Sequence, residues 1–208
     1  MLSFLSACVH LDPIAIIQTG GYIGIALLIF AESGLLVGLF FPGDSLLFAA
    51  GLLAGDGTLS FLPLASVVII AALLGDSVGY WFGANVGASF FTRKDSRIFK
   101  QAYVVRTQDF YATYGARAVV LARFVPIVRT IAPILAGIGT MTYGRFMAYN
   151  VIGAALWAGG MVSLGFFLGA ALPQSSQYVL PLSLSIIVIS FSPVAIHLIR
   201  SRQKTRPS

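Results

Sequence analysis

The chain has 208 residues, of which 58% are hydrophobic and 10% are charged, whereas about 25% of the residues of a soluble domain are usually charged. This composition excludes a soluble globular protein and predicts a single membrane domain over residues 1–208. The net charge of +6 would indicate a nucleic-acid partner in a soluble chain, but here the basic residues are distributed as the positive-inside rule requires. We therefore expect no nucleic-acid partner.

The first apolar segment covers residues 13–30 and carries no charged side chain. A spanning helix needs about 20 predominantly apolar residues, so this segment is just long enough to cross a bilayer. Gly20, Gly21 and Gly24 give it a small-residue face of the kind that packs closely against another membrane helix.

The second apolar segment, residues 31–54, carries Glu32, the only glutamate of the chain, and Asp44. Pro42 and Gly43 precede Asp44, and we expect the helix to break there because proline removes a backbone donor and glycine relaxes steric limits. An interrupted segment is tolerated in a membrane only when it is buried in protein or faces water. The pattern predicts a re-entrant hairpin.

Residues 62–84 form a clear second span, with Asp76 in its last third. The following stretch, residues 90–117, alternates basic and aromatic side chains. This pattern predicts an amphipathic connector at the cytoplasmic surface, where anionic lipids attract it. A charged loop that merely fixes the topology is an equally good interpretation.

Residues 118–141 are apolar again but contain Arg123, Pro126, Arg129 and Pro133. Two arginines and two prolines do not suit a simple span, because each proline removes a backbone hydrogen bond and each charge is costly at bilayer depth. We predict a second re-entrant hairpin that breaks at the prolines.

Two further spans are predicted over residues 146–171 and 178–199, followed by a basic tail over residues 200–208. The positive-inside rule places the basic connector and the basic tail on the cytoplasmic side. Four spans and two hairpins satisfy this requirement when both termini are cytoplasmic, the first hairpin enters from outside and the second enters from the cytoplasm.

A faint internal repeat relates the two halves of the chain. It pairs Ala50-Gly51 with Ala136-Gly137, and Gly83 with Gly169. The predicted topology makes the halves antiparallel, which is the inverted-repeat plan of many secondary transporters. We therefore predict an all-α polytopic membrane protein with two inverted re-entrant hairpins facing each other, about four spanning helices and an amphipathic connector.

The acidic residues of the apolar segments are candidates for function, since a carboxylate at bilayer depth costs about 2.5–3.5 kcal/mol on insertion scales. Glu32 and Asp44 are predicted to relay protons or to gate a pathway. Asp76 is a third candidate, although a helix cap or an interfacial position would also explain it. The structural alternative is a buried salt-bridge set that joins the acids to Arg123 and Arg129.

Arg123 and Arg129 are candidates for binding an anionic head group, because the planar guanidinium group suits a phosphate or a carboxylate bidentately. Their alternatives are to pair with the acids or to extend towards the membrane surface. Trp157 and Asn150 are interpreted as packing residues.

Motifs for enzyme chemistry are missing from the sequence. No cluster of Cys and His has metal-ligand spacing, and neither a GxxxxGK[ST] loop nor a GxSxG elbow occurs. The sequence therefore predicts no metal, no cofactor and no enzymatic activity.

Four ordered motifs resemble those of a known family: FAESG at 30–34, FPGDSLL at 41–47, GDSVGYWFG at 75–83 and RFVPIVRTIAPILAG at 123–137. They resemble the DedA family, the bacterial branch of the VTT-domain proteins. The resemblance covers about residues 20–175, most of the chain. It implies an inner-membrane protein with two facing re-entrant loops.

The resemblance also implies site residues and a function. The essential acids of the family fall on Glu32 and Asp44, and its essential arginines fall on Arg123 and Arg129. Members are implicated in recycling undecaprenyl phosphate across the membrane, in proton-linked transport and in envelope maintenance, and eukaryotic relatives act as lipid scramblases.

The leading hypothesis is a transporter or flippase that moves a polyprenyl-phosphate carrier such as undecaprenyl phosphate between the leaflets of the bacterial inner membrane, linked to protons. The alternatives are a proton-coupled exporter of small ions or osmolytes, a general lipid scramblase and a structural protein of the envelope. The expected partners are an anionic or polyprenyl-phosphate lipid, the surrounding membrane lipids and protons, and a homo-oligomer remains open.

Overall fold

A computed structural model of the protein describes residues 13–34, 43–87, 111 and 113–171. Within these ranges all regular structure is helical, which agrees with the predicted all-α class. The predicted span 178–199, the tail and most of the connector lie outside the described residues. The α-helices are α1 Pro13–Gly34, α2 Gly43–Gly55, α3 Phe61–Phe82, α4 Arg117–Ala122, α5 Pro126–Ile138, α6 Tyr143–Ala154 and α7 Gly160–Ala171.

Two long helical stretches in the described part of the chain are apolar enough to cross a membrane. Phe61–Asn85 consists of α3 and part of a π-helical turn, Gly83–Gly87, and Tyr143–Ala171 consists of α6, a second π-helical turn at Ala155–Gly159, and α7. They occupy the positions of the spans expected over residues 62–84 and 146–171.

Helix α1 extends past the expected end of the first span at residue 30 and includes Glu32. Its backbone leaves the helical conformation at Gly21, with φ of 52° and ψ of −146°. Glycine accepts this positive φ without a steric penalty, and no neighbouring atom crowds it. The apolar stretch Thr19–Gly34, which contains this kink, is shorter than a usual span.

Two helices begin at residues where the sequence predicts a break. Helix α2 begins at Gly43, directly after Pro42, which lies outside the described residues. Helix α5 begins at Pro126, where the missing backbone donor has no cost because the first turn of a helix leaves its donors free. The expected break at Pro133 is wrong, because α5 continues through this residue to Ile138. Membrane helices tolerate such a proline because neighbouring groups compensate the freed carbonyl.

Glycines bring two pairs of helices into backbone contact. Helix α2 packs on α7, where a Cβ atom at Gly169 would collide with the backbone of Leu52. Helix α5 packs on α3 and on the π-helical turn that follows it in the same way, since a Cβ atom at Gly83 would collide with the backbone of Ile134. Such close approach is typical of small-residue contacts between membrane helices.

The two contacts correct the register of the predicted repeat. Gly83 and Gly169 play equivalent parts, as the repeat predicts. However, the glycine of α2 that corresponds to Gly137 is Gly55, not Gly51: Gly55 faces Gly169 as Gly137 faces Gly83. Helices α2 and α5 are therefore displaced by one helical turn relative to the alignment that the repeat predicts. Matches between glycines and alanines in the sequence are too frequent to reveal this shift.

Large apolar side chains cover much of the outer surface of the described helices. Ile23, Leu62, Leu121 and Phe167 are each between 68% and 74% exposed. So many exposed large apolar side chains are typical of a protein or membrane contact rather than of a surface in water. The buried core lies mainly between α1, α2, α3 and α7, and a smaller cluster consists of Tyr80, Val119, Ala136 and Phe146.

Candidate functional site

The guanidinium group of Arg129 joins three helices. Arg129 lies on α5 and donates from Nη1 to Oδ1 of Asp44, at the start of α2, over 2.6 Å. It also donates from Nη2 to Oε1 of Glu32, near the end of α1. The side chain of Arg129 is 13% exposed and that of Glu32 is 3% exposed, so water screens this ion pair weakly.

Arg123 forms a second ion pair on the other side of the cluster. It follows α4 directly and donates from Nη2 to Oδ2 of Asp76 on α3. The same nitrogen donates to Oδ1 of Asn150 on α6 over 2.7 Å. Arg123, Asp76 and Asn150 are all buried. Asp76 is thus a member of the buried polar cluster. Its predicted role in proton exchange stays a prediction.

Glycines make room for charged groups at two places and allow two helices to cross closely at a third. A Cβ atom at Gly43 would overlap Oε2 of Glu32, and one at Gly153 would lie 2.8 Å from Cδ of Arg123. Helices α1 and α3 cross closely, since a Cβ atom at Gly34 would lie 2.8 Å from the carbonyl oxygen of Gly75. This crossing holds the Glu32 end of α1 beside the Asp76 turn of α3.

Asp44 is placed by the start of its helix. It lies in the first turn of α2, where the positive end of the helix dipole stabilises a carboxylate. The side chain of Asp44 is 16% exposed. The helix dipole is therefore one physical reason why an acidic residue is stable at the start of α2.

Trp157 lies between the two ion pairs, although its sequence pattern indicated only packing. Its indole Nε1 donates to Oδ1 of Asp44 over 2.9 Å. The ring centroid is 4.8 Å from Cζ of Arg129 and 5.8 Å from Cζ of Arg123. The spacing of Trp157 from Asn150 on the same helical stretch could have indicated a shared face, because positions seven apart recur on one side of a helix.

The charges in the cluster do not cancel. Among the described residues, three carboxylates (Glu32, Asp44 and Asp76) face two guanidinium groups. Oε2 of Glu32, Nε of Arg123 and Nδ2 of Asn150 are buried without a hydrogen-bond partner in this part of the chain. The carboxylate oxygen can accept a proton or a donor, and the two nitrogens can donate to a new acceptor, because leaving buried polar groups unpaired is costly. No group in the described ranges has the composition of a metal site.

Comparison with known proteins identifies the family. The family model of the VTT domain matches residues 41–167, more than half of the chain. The chain belongs to the VTT-domain family. Protein DedA of Escherichia coli K12 is 44% identical over 179 residues, which cover 85% of this chain and 81% of DedA. The chain is thus a DedA-type member.

Two further relatives extend the likeness. An uncharacterised membrane protein of Mycobacterium leprae is 38% identical over 207 residues, 95% of this chain and 92% of its own. One of Synechocystis is 40% identical over 134 residues, 64% of this chain and 61% of its own. Together with the apolar surface, these relatives support a membrane location. No solved structure matches the chain.

Proposed function

We propose that this DedA-type protein moves a polyprenyl-phosphate lipid carrier between the leaflets of the bacterial inner membrane, and that the movement is linked to protons. In this proposal both termini are cytoplasmic. Arg129 and Arg123 bind the phosphate, while Glu32, Asp44 and Asp76 exchange protons and gate the site. The lipid and the protons are its partners.

The observation that carries the proposal is the double ion pair of Arg129. Its Nη1 and Nη2 atoms bond to Asp44 and Glu32, and the same planar pair of donors fits two oxygens of a phosphate. A phosphate monoester can therefore replace the two carboxylates at this guanidinium group without any change in the position of the arginine.

Proton linkage follows from the cost of an unpaired buried charge. When the phosphate takes Arg129, Glu32 and Asp44 lose their cation, and a buried carboxylate without a partner is strongly destabilising. Proton uptake by both carboxylates neutralises them and removes this cost. Release of the phosphate restores the two ion pairs and returns the protons, so lipid movement is coupled to protons when uptake and release occur on opposite sides of the membrane.

Alternating exposure of the site follows from the position of the charges. The acids Glu32 and Asp44 lie on α1 and α2, and the base Arg129 lies on α5. Movement of the packed pair α2 and α7 against the packed pair α3 and α5 would separate Asp44 from Arg129. Inverted-repeat transporters expose a midplane site to either side by such movements.

The test is the movement of a labelled short-chain polyprenyl phosphate in vesicles that contain the purified protein. Wild type is compared with Arg129→Ala and with Arg145→Ala, a control in which an exposed arginine outside the cluster is removed. We expect Arg129→Ala to lose protein-dependent movement and Arg145→Ala to retain it. Equal movement in wild type and Arg129→Ala, with both proteins folded, would refute the head-group assignment.

A second candidate is a proton-coupled exporter of small ions, which the unpartnered Oε2 atom of Glu32 favours. It would use the same acids without a lipid. It predicts substrate-driven pH changes in vesicles that contain no polyprenol, whereas the lipid-carrier function predicts none.

A further inference from the structure

Trp157 contacts more of the charged site than any packing role requires. Its Nε1 atom donates to Asp44, and both guanidinium groups lie within cation–π distance of its ring. We propose that Trp157 is a positioning residue that holds Asp44 in the site while Arg129 exchanges its carboxylate partners for a phosphate. This inference rests on the proposed function and adds a residue to it.

The indole is suited to this part because it combines two properties in one side chain. Its face attracts cations, and tryptophan does so better than tyrosine or phenylalanine. Its Nε1–H group is a donor that cannot accept a hydrogen bond. Trp157 can therefore bond to Asp44 and face Arg129 at the same time.

The bond to Asp44 matters at the moment of exchange. The Oδ1 atom of Asp44 receives hydrogen bonds from both Arg129 and Trp157. When Arg129 turns to a phosphate, the bond from Trp157 remains, so Asp44 keeps one partner while a proton neutralises it. After the phosphate leaves, Asp44 is still in place to bind Arg129 again.

The ring also affects the two arginines. Arg129 and Arg123 lie 4.8 Å and 5.8 Å from its centroid, measured from Cζ. Two guanidinium groups repel each other, and a shared aromatic ring offsets part of that repulsion. Trp157 therefore keeps both arginines near one site where a single phosphate can meet them.

The backbone around Trp157 departs from regular α-helical geometry. Trp157 lies in the π-helical turn Ala155–Gly159, between α6 and α7. Single π-helical turns within α-helices occur frequently at functional sites, because they redirect a side chain that regular geometry would aim elsewhere.

The first test separates positioning from packing. Trp157→Phe keeps an aromatic ring, although a smaller one, and removes the donor to Asp44. Trp81→Phe is the matched control, because Trp81 is 51% exposed and its ring packs against Tyr80 and Tyr143. We expect movement of the labelled polyprenyl phosphate to fall by at least about 10-fold in Trp157→Phe, equivalent to about 1.4 kcal/mol, and to stay near wild type in Trp81→Phe. Full activity in a folded Trp157→Phe protein would overturn the proposal.

The second test uses Trp157 as its own reporter. The chain contains two tryptophans, so Trp81→Phe leaves Trp157 as the only one. Binding of short-chain polyprenyl phosphate to this variant should change the intensity or wavelength of Trp157 fluorescence, with saturation at the same concentration as binding of radiolabelled lipid. Lipid that binds without any fluorescence change would overturn the proposal and leave the transport function intact.

A lipid-free comparison distinguishes failure of the inference from failure of the proposed function. If wild type neither binds nor moves the probe, the transport function fails. The comparison uses the Trp81→Phe background without lipid. Asp44→Asn should alter Trp157 emission, because Nε1 then bonds to an amide instead of a carboxylate. Asp56→Asn, in the exposed turn, should leave the emission unchanged. Identical emission of the two variants would overturn the contact between Trp157 and Asp44 itself.

Discussion

Arg129 bonds to Asp44 across 85 residues of the chain, with 2.6 Å between Nη1 and Oδ1. The contact joins the first turn of α2 to α5, and so connects the two halves of the predicted repeat. A long-range ion pair in a buried site can stabilise the fold and can also control access to the site. Separating these two roles requires variants that change one without the other.

Replacement of Gly43 by alanine should disturb Glu32 directly. The new Cβ atom would overlap the Glu32 carboxylate, and overpacking of this kind costs about 1–3 kcal/mol. We expect lower thermal stability and loss of lipid movement, both measured on the purified protein. Gly144→Ala is the control, because nothing lies within 4 Å of its added Cβ atom.

A second substitution tests whether the collision is the cause. Glu32→Asp shortens the acid by one methylene group, so it should restore part of the stability lost in Gly43→Ala. If the double variant is less stable than Gly43→Ala by the full cost of Glu32→Asp alone, the two residues are independent and the steric explanation is wrong.

The ion pair between Arg123 and Asp76 should be separable into structural and functional parts. Asp76→Asn leaves the buried Arg123 without its counter-charge, and breaking a buried ion pair costs about 3–5 kcal/mol. Replacement of both residues, as Arg123→Met with Asp76→Leu, should recover much of this stability, since apolar pairs often replace buried ion pairs without loss. Thermal unfolding of Asp76→Asn and of the double variant measures the structural part.

The movement of the labelled lipid measures the functional part in the same double variant. We expect the double variant to be inactive, because no second cation remains for the phosphate. A stable and fully active double variant would show that the pair serves only the fold.

Glu32→Gln should remove the response of transport to a pH gradient. Glutamine can still bond to Arg129, but it cannot take up and release a proton. We expect gradient-driven movement of the labelled lipid to fall at least about 10-fold, equivalent to about 1.4 kcal/mol. The measurement compares vesicles with and without a pH difference, and Asp56→Asn is the control with an exposed acid. An undiminished response in Glu32→Gln would assign the proton to another group.

The two glycine contacts between helices should respond alike to alanine. Gly83→Ala and Gly169→Ala each place a Cβ atom against facing backbone, so each should lower the stability by about 1–3 kcal/mol. Thermal unfolding of both variants, beside Gly160→Ala with open space around it, measures the effect. A large loss at only one of the two positions would argue against equivalent halves.

Local patterns in the sequence predict the helical class of this protein and the residues where α2 and α5 begin. The low charge content and the long apolar segments specify a helical membrane protein, because a bilayer leaves few other ways to satisfy the backbone. The start of α2 at Gly43 and of α5 at Pro126 follows from the properties of glycine and proline at those positions. The sequence also singles out Glu32, Asp44, Arg123 and Arg129, since charges are rare in apolar segments.

Only the tertiary structure decides how these elements meet. The sequence left open that Arg129 binds Glu32 and Asp44 while Arg123 binds Asp76, because that choice depends on the register between helices far apart in the chain. The one-turn displacement that pairs Gly55 with Gly137 has the same origin. Trp157 was interpreted as packing because an aromatic side chain in an apolar helix carries no local sign of its partners. Composition and local backbone preferences act within a segment, whereas the site arises from packing between segments.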